Sequence, residues 1–120
     1  MTQQAWTPNE IALRLARLSR DLDKLAGELE GLDRDAVTKR HAYELAFARA
    51  FLGQEAGSVD ARKQTAVLAT AAEKLAAETA EAVLRAARVR IGTLKTQIET
   101  GRSLNALMRS EMALAGMGTT

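Results

Sequence analysis

The sequence predicts an all-α protein made of long helices with heptad seams, arranged as a helical hairpin or coiled-coil bundle that assembles into oligomers. Three observations predict this class. Ala and Leu dominate a chain that is 47% hydrophobic, and both are strong helix formers. The sole proline is Pro8, so nothing beyond the first turn removes a backbone donor from a helix interior. Apolar residues from Ile11 to Leu32 recur at alternating steps of four and three, the period at which one helix packs along another. Strand-favouring aromatics are few, limited to Trp6, Tyr43, Phe47 and Phe51.

The 120 residues are expected to form a single helical domain over 1–120. Enough of the chain is apolar to offset the entropy of ordering, which excludes a disordered tail. The absence of cysteine removes disulfides, thiolate catalysis and Cys-based zinc sites, and suits a reducing cytoplasm. No apolar run approaches the roughly 20 residues of a membrane-spanning helix. The start, Met1 to Trp6, has neither a basic nor an apolar region of the signal-peptide kind.

The first helix is predicted over about 8–31. Thr7 is placed to cap it, Pro8 suits its first position, and Glu10 completes a capping box. Ile11, Leu15, Leu18, Leu22, Leu25, Leu29 and Leu32 then form one narrow stripe, which requires a second helix against it. Leu15, Leu18, Leu22, Leu25 and Leu29 are the expected oligomerisation residues. Trp6 is placed to fold onto the first turn as a hydrophobic staple.

A break is expected at Gly31 with Asp33 and Asp35, because Gly favours helix ends and Asp helix starts. Leu32 and Ala36 keep the register, so one continuous helix is the alternative. The second helix is predicted over about 33–52, with Tyr43, Phe47 and Phe51 on its apolar face. A loop over 53–58 follows from Gly53 and Gly57, with Ser58 as the next cap. The third helix is predicted over about 59–114, with a kink at Gly101 and a frayed tail over 115–120. Unbroken, such a helix would reach roughly 80 Å, too long to bury itself in a compact monomer, which is the argument for a homo-oligomer.

The residues do not make a catalytic constellation. His41 is the only histidine, and a surface role beside Arg40 outweighs a role as base or metal ligand. The serines stand in no nucleophile elbow. Gly53 to Gly57 lacks the Lys-Ser/Thr of a P-loop. No enzyme, cofactor or metal site is therefore expected.

Charge is more telling. The formal net charge is +2 and the isoelectric point about 9.3. Between Leu84 and Ser110 stand Arg85, Arg88, Arg90, Lys95, Arg102 and Arg109 against the single acid Glu99, a local +5. Arg88, Lys95, Arg102 and Arg109 recur every seven residues and so share one flank of a helix. Arg-rich stripes suit phosphate, through bidentate hydrogen bonds. The competing reading pairs the stripe with acids such as Glu28, Glu30 and Asp33. Arg14, Arg17, Arg20 and Lys24 are diluted by acids from Asp21 onward and read as a solvated face. Tyr43, Phe47 and Phe51, four apart, could stack bases beside Lys39, Arg40 and Arg49, but a packed face is the expected reading.

Three segments carry a resemblance. They are Tyr43 to Leu52, Gly57 to Lys63, and Ile98 to Arg109: an aromatic helix, a Lys/Arg-bearing helix start, and a long helix ending in an Arg-Ser element. This arrangement resembles the UvsY-like recombination mediator proteins of tailed phages. The leucine-rich first helix departs from that family. The resemblance implies an oligomeric helical protein that binds single-stranded DNA and partners a recombinase. It implicates Arg62, Lys63, Arg102 and Arg109. Two functions are thus expected: a single-stranded DNA-binding accessory protein using Arg85, Arg88, Lys95, Arg102, Arg109, Arg62 and Lys63, or a structural coiled-coil adaptor acting through protein contacts alone.

Overall fold

A computed structural model describes residues 6–117. Among them are three helices, α1 (Pro8–Leu52), α2 (Val59–Ala69) and α3 (Ala71–Met117), and no strand. No helix among the described residues is long and apolar enough to cross a membrane. Of the tail expected to fray over 115–120, residues 115–117 instead continue α3; 118–120 and the stretch from Met1 to Ala5 lie outside the described residues.

The start of α1 follows its sequence. The Glu10 backbone N–H donates to Thr7 Oγ1 at 3.2 Å, and the Thr7 N–H donates to Glu10 Oε2 at 3.1 Å. Two donors left open by helix geometry are satisfied reciprocally. The break expected at Gly31 is absent: α1 runs through it to Leu52. A Cβ at Gly27 or Gly31 would meet nothing within 4 Å, so neither glycine serves a turn or a close contact. The two glycines cost the helix about 1 kcal/mol each, and packing of the leucines on both sides outweighs that.

The loop lies where Gly53 and Gly57 place it. Gly57 adopts φ +104°, a conformation that side chains with a Cβ resist. Ser58 then caps α2 by accepting from the Ala61 N–H at 3.1 Å. The third expected helix is interrupted at Thr70, not at Gly101. The Thr70 N–H and Oγ1 both donate to the Ala66 carbonyl, at 3.1 and 2.7 Å, and the residue departs from helical backbone at φ −115°. A hydroxyl bonding back to its own helix favours bending, but the same bond at Thr65, Thr93 and Thr96 leaves their helices continuous, so the bond alone does not end α2. Thr70 is 3% exposed, the buried polar residue of this part of the chain. α3 continues helically through Gly101 to Met117.

The contacts gather into two compact units. One comprises the chain up to Gly27 together with the chain from Val89; the other is Glu28–Arg88. In the first, α1 and α3 run antiparallel. Leu18, Leu94 and Ile98 form a buried cluster, with Leu15, Leu22 and Leu25 packed on it. In the second, Ala36, Ala80 and Leu84 form the cluster and Leu29 and Leu32 pack on it. The predicted seam therefore packs inside the chain, against α3. Burial of each large aliphatic side chain contributes about 2 kcal/mol. Ala66 and Ala77 are fully buried, where a methyl is all the helices leave room for.

Candidate nucleic-acid interface

In the first unit, eight Lys and Arg stand against five Asp and Glu, a formal +3; in the second, nine stand against ten, a formal −1. The chain's basic excess is thus confined to the unit containing the end of α3. Lys95, Arg102 and Arg109 are exposed there, seven residues apart on one helix. Among the described residues none of the three has an ion-pair partner. Lys95 and Arg102 border a shallow groove with Ser19, Asp23 and Glu99, so two carboxylates lie on the same flank without closing a bridge.

Arg88 has a different fate. It lies in the second unit, and its Nη2 sits 3.5 Å from Asp33 Oδ1, with both side chains more than half exposed. The pairing reading of the stripe therefore holds at this position, as a surface bridge worth at most about 1 kcal/mol. Arg85 is exposed on the same helix and adds to the positive potential at Glu81. The sequence stripe is accordingly not uniform: its first member is engaged and its last three are open.

Arg62 and Lys63 also part company. The Arg62 guanidinium lies 5.0 Å from the Phe51 ring centre, and its Nε is buried without a hydrogen-bond partner. Its charge is spent on holding α2 against the end of α1 by a cation–π contact. Lys63 is exposed. Tyr43, Phe47 and Phe51 form a continuous ring stack, edge-on at 6.3 Å and then parallel at 6.5 Å. All three rings are half-buried, and Arg40 covers Tyr43 at 5.4 Å as Arg62 covers Phe51. The stack is a packing element with both ends occupied.

The strongest polar contact of the second unit was not visible in the sequence. Arg40 clamps Glu81 with two hydrogen bonds, Nε to Oε2 at 3.0 Å and Nη2 to Oε1. Hydrogen bonding from Arg40 holds the Glu81 carboxyl below the usual carboxylate range, and raises the Arg40 guanidinium in turn. The two are 41 positions apart, so no local spacing signals the pair. His41 is exposed nearby, on a groove that it shares with Asp33, Glu44 and Glu81. Among the described residues no three His, Cys, Asp or Glu gather as metal ligands.

Trp6 is 48% exposed and carries Arg14 over its ring at 5.6 Å. It lines an apolar groove of about 270 Å³ with Ile11, Leu15, Leu18, Thr100 and Leu104. Ile11 is buried and Trp6 is not, so the expected staple is a partial one. No protein-family model matches the chain, and no curated protein or solved structure is significantly similar to it.

Proposed function

We propose that the protein is a non-enzymatic helical accessory protein that binds single-stranded DNA along the flank of α3 bearing Lys95, Arg102 and Arg109. One observation carries the reading: these three cations are exposed, evenly spaced and unpaired in a unit of formal charge +3, while Arg88 of the same sequence stripe is engaged by Asp33. Phosphates lie along a single strand at intervals that a row of long, flexible cations can follow, and such contacts release counterions. Arg14 and Arg17 on α1 belong to the same basic unit and add to its attraction for a polyanion. A role in phage recombination beside a recombinase, as the UvsY-like resemblance implies, belongs to this reading.

The test is a titration of a labelled single-stranded oligonucleotide at about 50 and 200 mM salt, read by anisotropy. Binding that weakens steeply with salt and disappears in the Lys95→Gln, Arg102→Gln, Arg109→Gln variant supports the proposal. Absence of binding at the lower salt by folded protein refutes it.

A second reading, an adaptor acting through protein contacts alone, is favoured by one other feature. Leu107, Met112 and Leu114 near the end of α3 are each more than half exposed. Apolar side chains so close together on one helix end suit a protein partner. It predicts association without any affinity for nucleic acid.

A further inference from the structure

α3 carries a second seam, on the side turned away from α1. Ala72, Leu75, Thr79, Ala82 and Ala86 step by three, four, three and four, and Ala76 and Val83 lie beside them. All seven are exposed, Leu75 at 66% and Val83 at 47%. They lie about half a turn around the helix from Ala77, Ala80, Leu84 and Ala87, which are buried. A helix that buries one face normally carries charge on the opposite one. Here that opposite face is uncharged for five consecutive heptad positions, and its charges, Glu78 and Arg85, stand at the edge.

We propose that this face pairs with the same face of a second copy of the chain, antiparallel, about a twofold axis passing near Glu81. In that register Leu75 opposes Ala86 of the second copy, and Thr79 opposes Ala82. A large side chain meets a small one, and two small ones meet each other, so the layers fill without voids. On one edge Glu78 meets Arg85 of the second copy, and the twofold axis repeats the pair. On the other edge Val83 meets Ala76 and widens the apolar strip. An isologous contact of this kind closes on itself and stops at two subunits.

Charge selects this register over its neighbours. A shift of one heptad in either direction sets Glu78 against Glu78 or Arg85 against Arg85. Parallel pairing sets Arg85 against Arg90. Flanking charges of this kind choose partner and orientation in paired helices, by repulsion as much as attraction. Within the chain neither edge residue is strongly engaged. Glu78 has Lys74 at 3.9 Å, with both side chains about half exposed, and Arg85 contributes only a long-range influence on Glu81. The interface differs from the leucine seam of α1, which is already occupied by α3. It requires nothing of the DNA-binding reading.

The experiment measures mass against concentration by sedimentation equilibrium, from about 1 to about 200 µM, a range that captures micromolar association. The unaltered chain is expected to pass from monomer to dimer. Glu78→Arg alone and Arg85→Glu alone each raise the dissociation constant at least about tenfold, through like-charge contacts repeated by symmetry. The two together restore it. Both positions are exposed, so far-ultraviolet circular dichroism is expected to stay unchanged. Since the chain has no cysteine, introduced thiols report directly. Leu75→Cys with Ala86→Cys cross-links between chains on oxidation, and Leu75→Cys alone does not. A monomer throughout the range, a dimer indifferent to the charge reversals, or ready cross-linking by Leu75→Cys alone overturns the proposal.

Discussion

Leu15 of α1 lies against the bare backbone of Gly101 in α3, so close that a Cβ placed on Gly101 would stand 2.6 Å from Leu15 Cδ2 and 3.3 Å from its Cγ. The glycine is a seat for the leucine. Gly92, two and a half turns earlier on the same helix, has open space where its Cβ would be. Gly92→Ala is therefore expected to stabilise the protein by about 0.5–1 kcal/mol through helix propensity alone. Gly101→Ala forces Leu15 to shift and loses that gain or reverses it. Paired thermal melts decide the matter; equal stabilisation by both would mean that the Leu15 contact is not close.

Leu94 is 1% exposed and sits at the centre of the cluster with Leu18 and Ile98. Leu94→Ala should cost about 2–5 kcal/mol, the range for a buried leucine that leaves a cavity. Leu13, 59% exposed on the neighbouring helix, serves as the control, and its replacement by Ala should stay within about 0.5 kcal/mol. Urea denaturation of both variants checks the contrast.

Glu81 gives stability a definite pH dependence. Its carboxyl is held below the ordinary value of 4.5 in the folded chain, mainly by the hydrogen bonds from Arg40. A lowered folded value means that the unfolded chain binds the proton more readily. The contribution is thus fully present above the ordinary carboxylate range and disappears as pH falls through the lowered value. Glu81→Gln should flatten the acid limb of stability against pH while leaving the neutral-to-basic limb parallel. An unchanged acid limb would show that the clamp does not operate in solution.

The loop between α1 and α2 makes two separable contributions. Ser58→Ala removes the bond to the Ala61 N–H and should cost about 1 kcal/mol. Gly57→Ala places a Cβ on backbone at φ +104° and should cost about 1–2 kcal/mol. The sites adjoin, so the double variant is expected to depart from additivity. Melting temperatures of the two single variants and the double complete the cycle.

For DNA, each lost phosphate contact lowers the slope of log affinity against log salt by about 0.7 on a single strand. Replacing Lys95, Arg102 and Arg109 together by Gln should therefore reduce the slope by about 2. Arg88→Gln, which removes a cation already engaged by Asp33, should change it by much less. An equal effect from all four would restore the uniform stripe that the spacing alone suggests.

Local signals were legible in the sequence and contacts across the fold were not. Thr7 with Glu10, Gly57 and Ser58 act on neighbours three residues away or less, and their residue types state their roles. The leucine seam declared that α1 needs a partner helix, and α3 supplies one within the chain. Gly31 and Gly101 misled for opposite reasons. Gly31 costs its helix too little to end it between two well-packed stretches, and Gly101 is small because Leu15 is beside it. Thr70 gave no warning, since its residue type and its bond to the carbonyl four residues earlier are shared by Thr65, Thr93 and Thr96, where the helix continues. Of the candidate cations, Arg62 and Arg88 are drawn into packing by Phe51 and Asp33. Only positions in space separate them from Lys95, Arg102 and Arg109.

The clamp between Arg40 and Glu81 closes a stretch of 41 positions, whereas the seat of Leu15 on Gly101 joins residues 86 apart. Closing the longer loop first costs more chain entropy, and with the shorter one already shut most of that cost has been met. The chain can therefore close like a zipper drawn from its α1–α2 loop, with the basic end fastening last. The same order run backwards sets where the fold first opens. Amide hydrogens around Leu18 and Leu94 should exchange through a partial opening in which those around Ala36 and Leu84 stay protected. Such an end, able to part without unfolding the rest, is also the one that carries Lys95 and Arg102, the flank proposed to bind DNA.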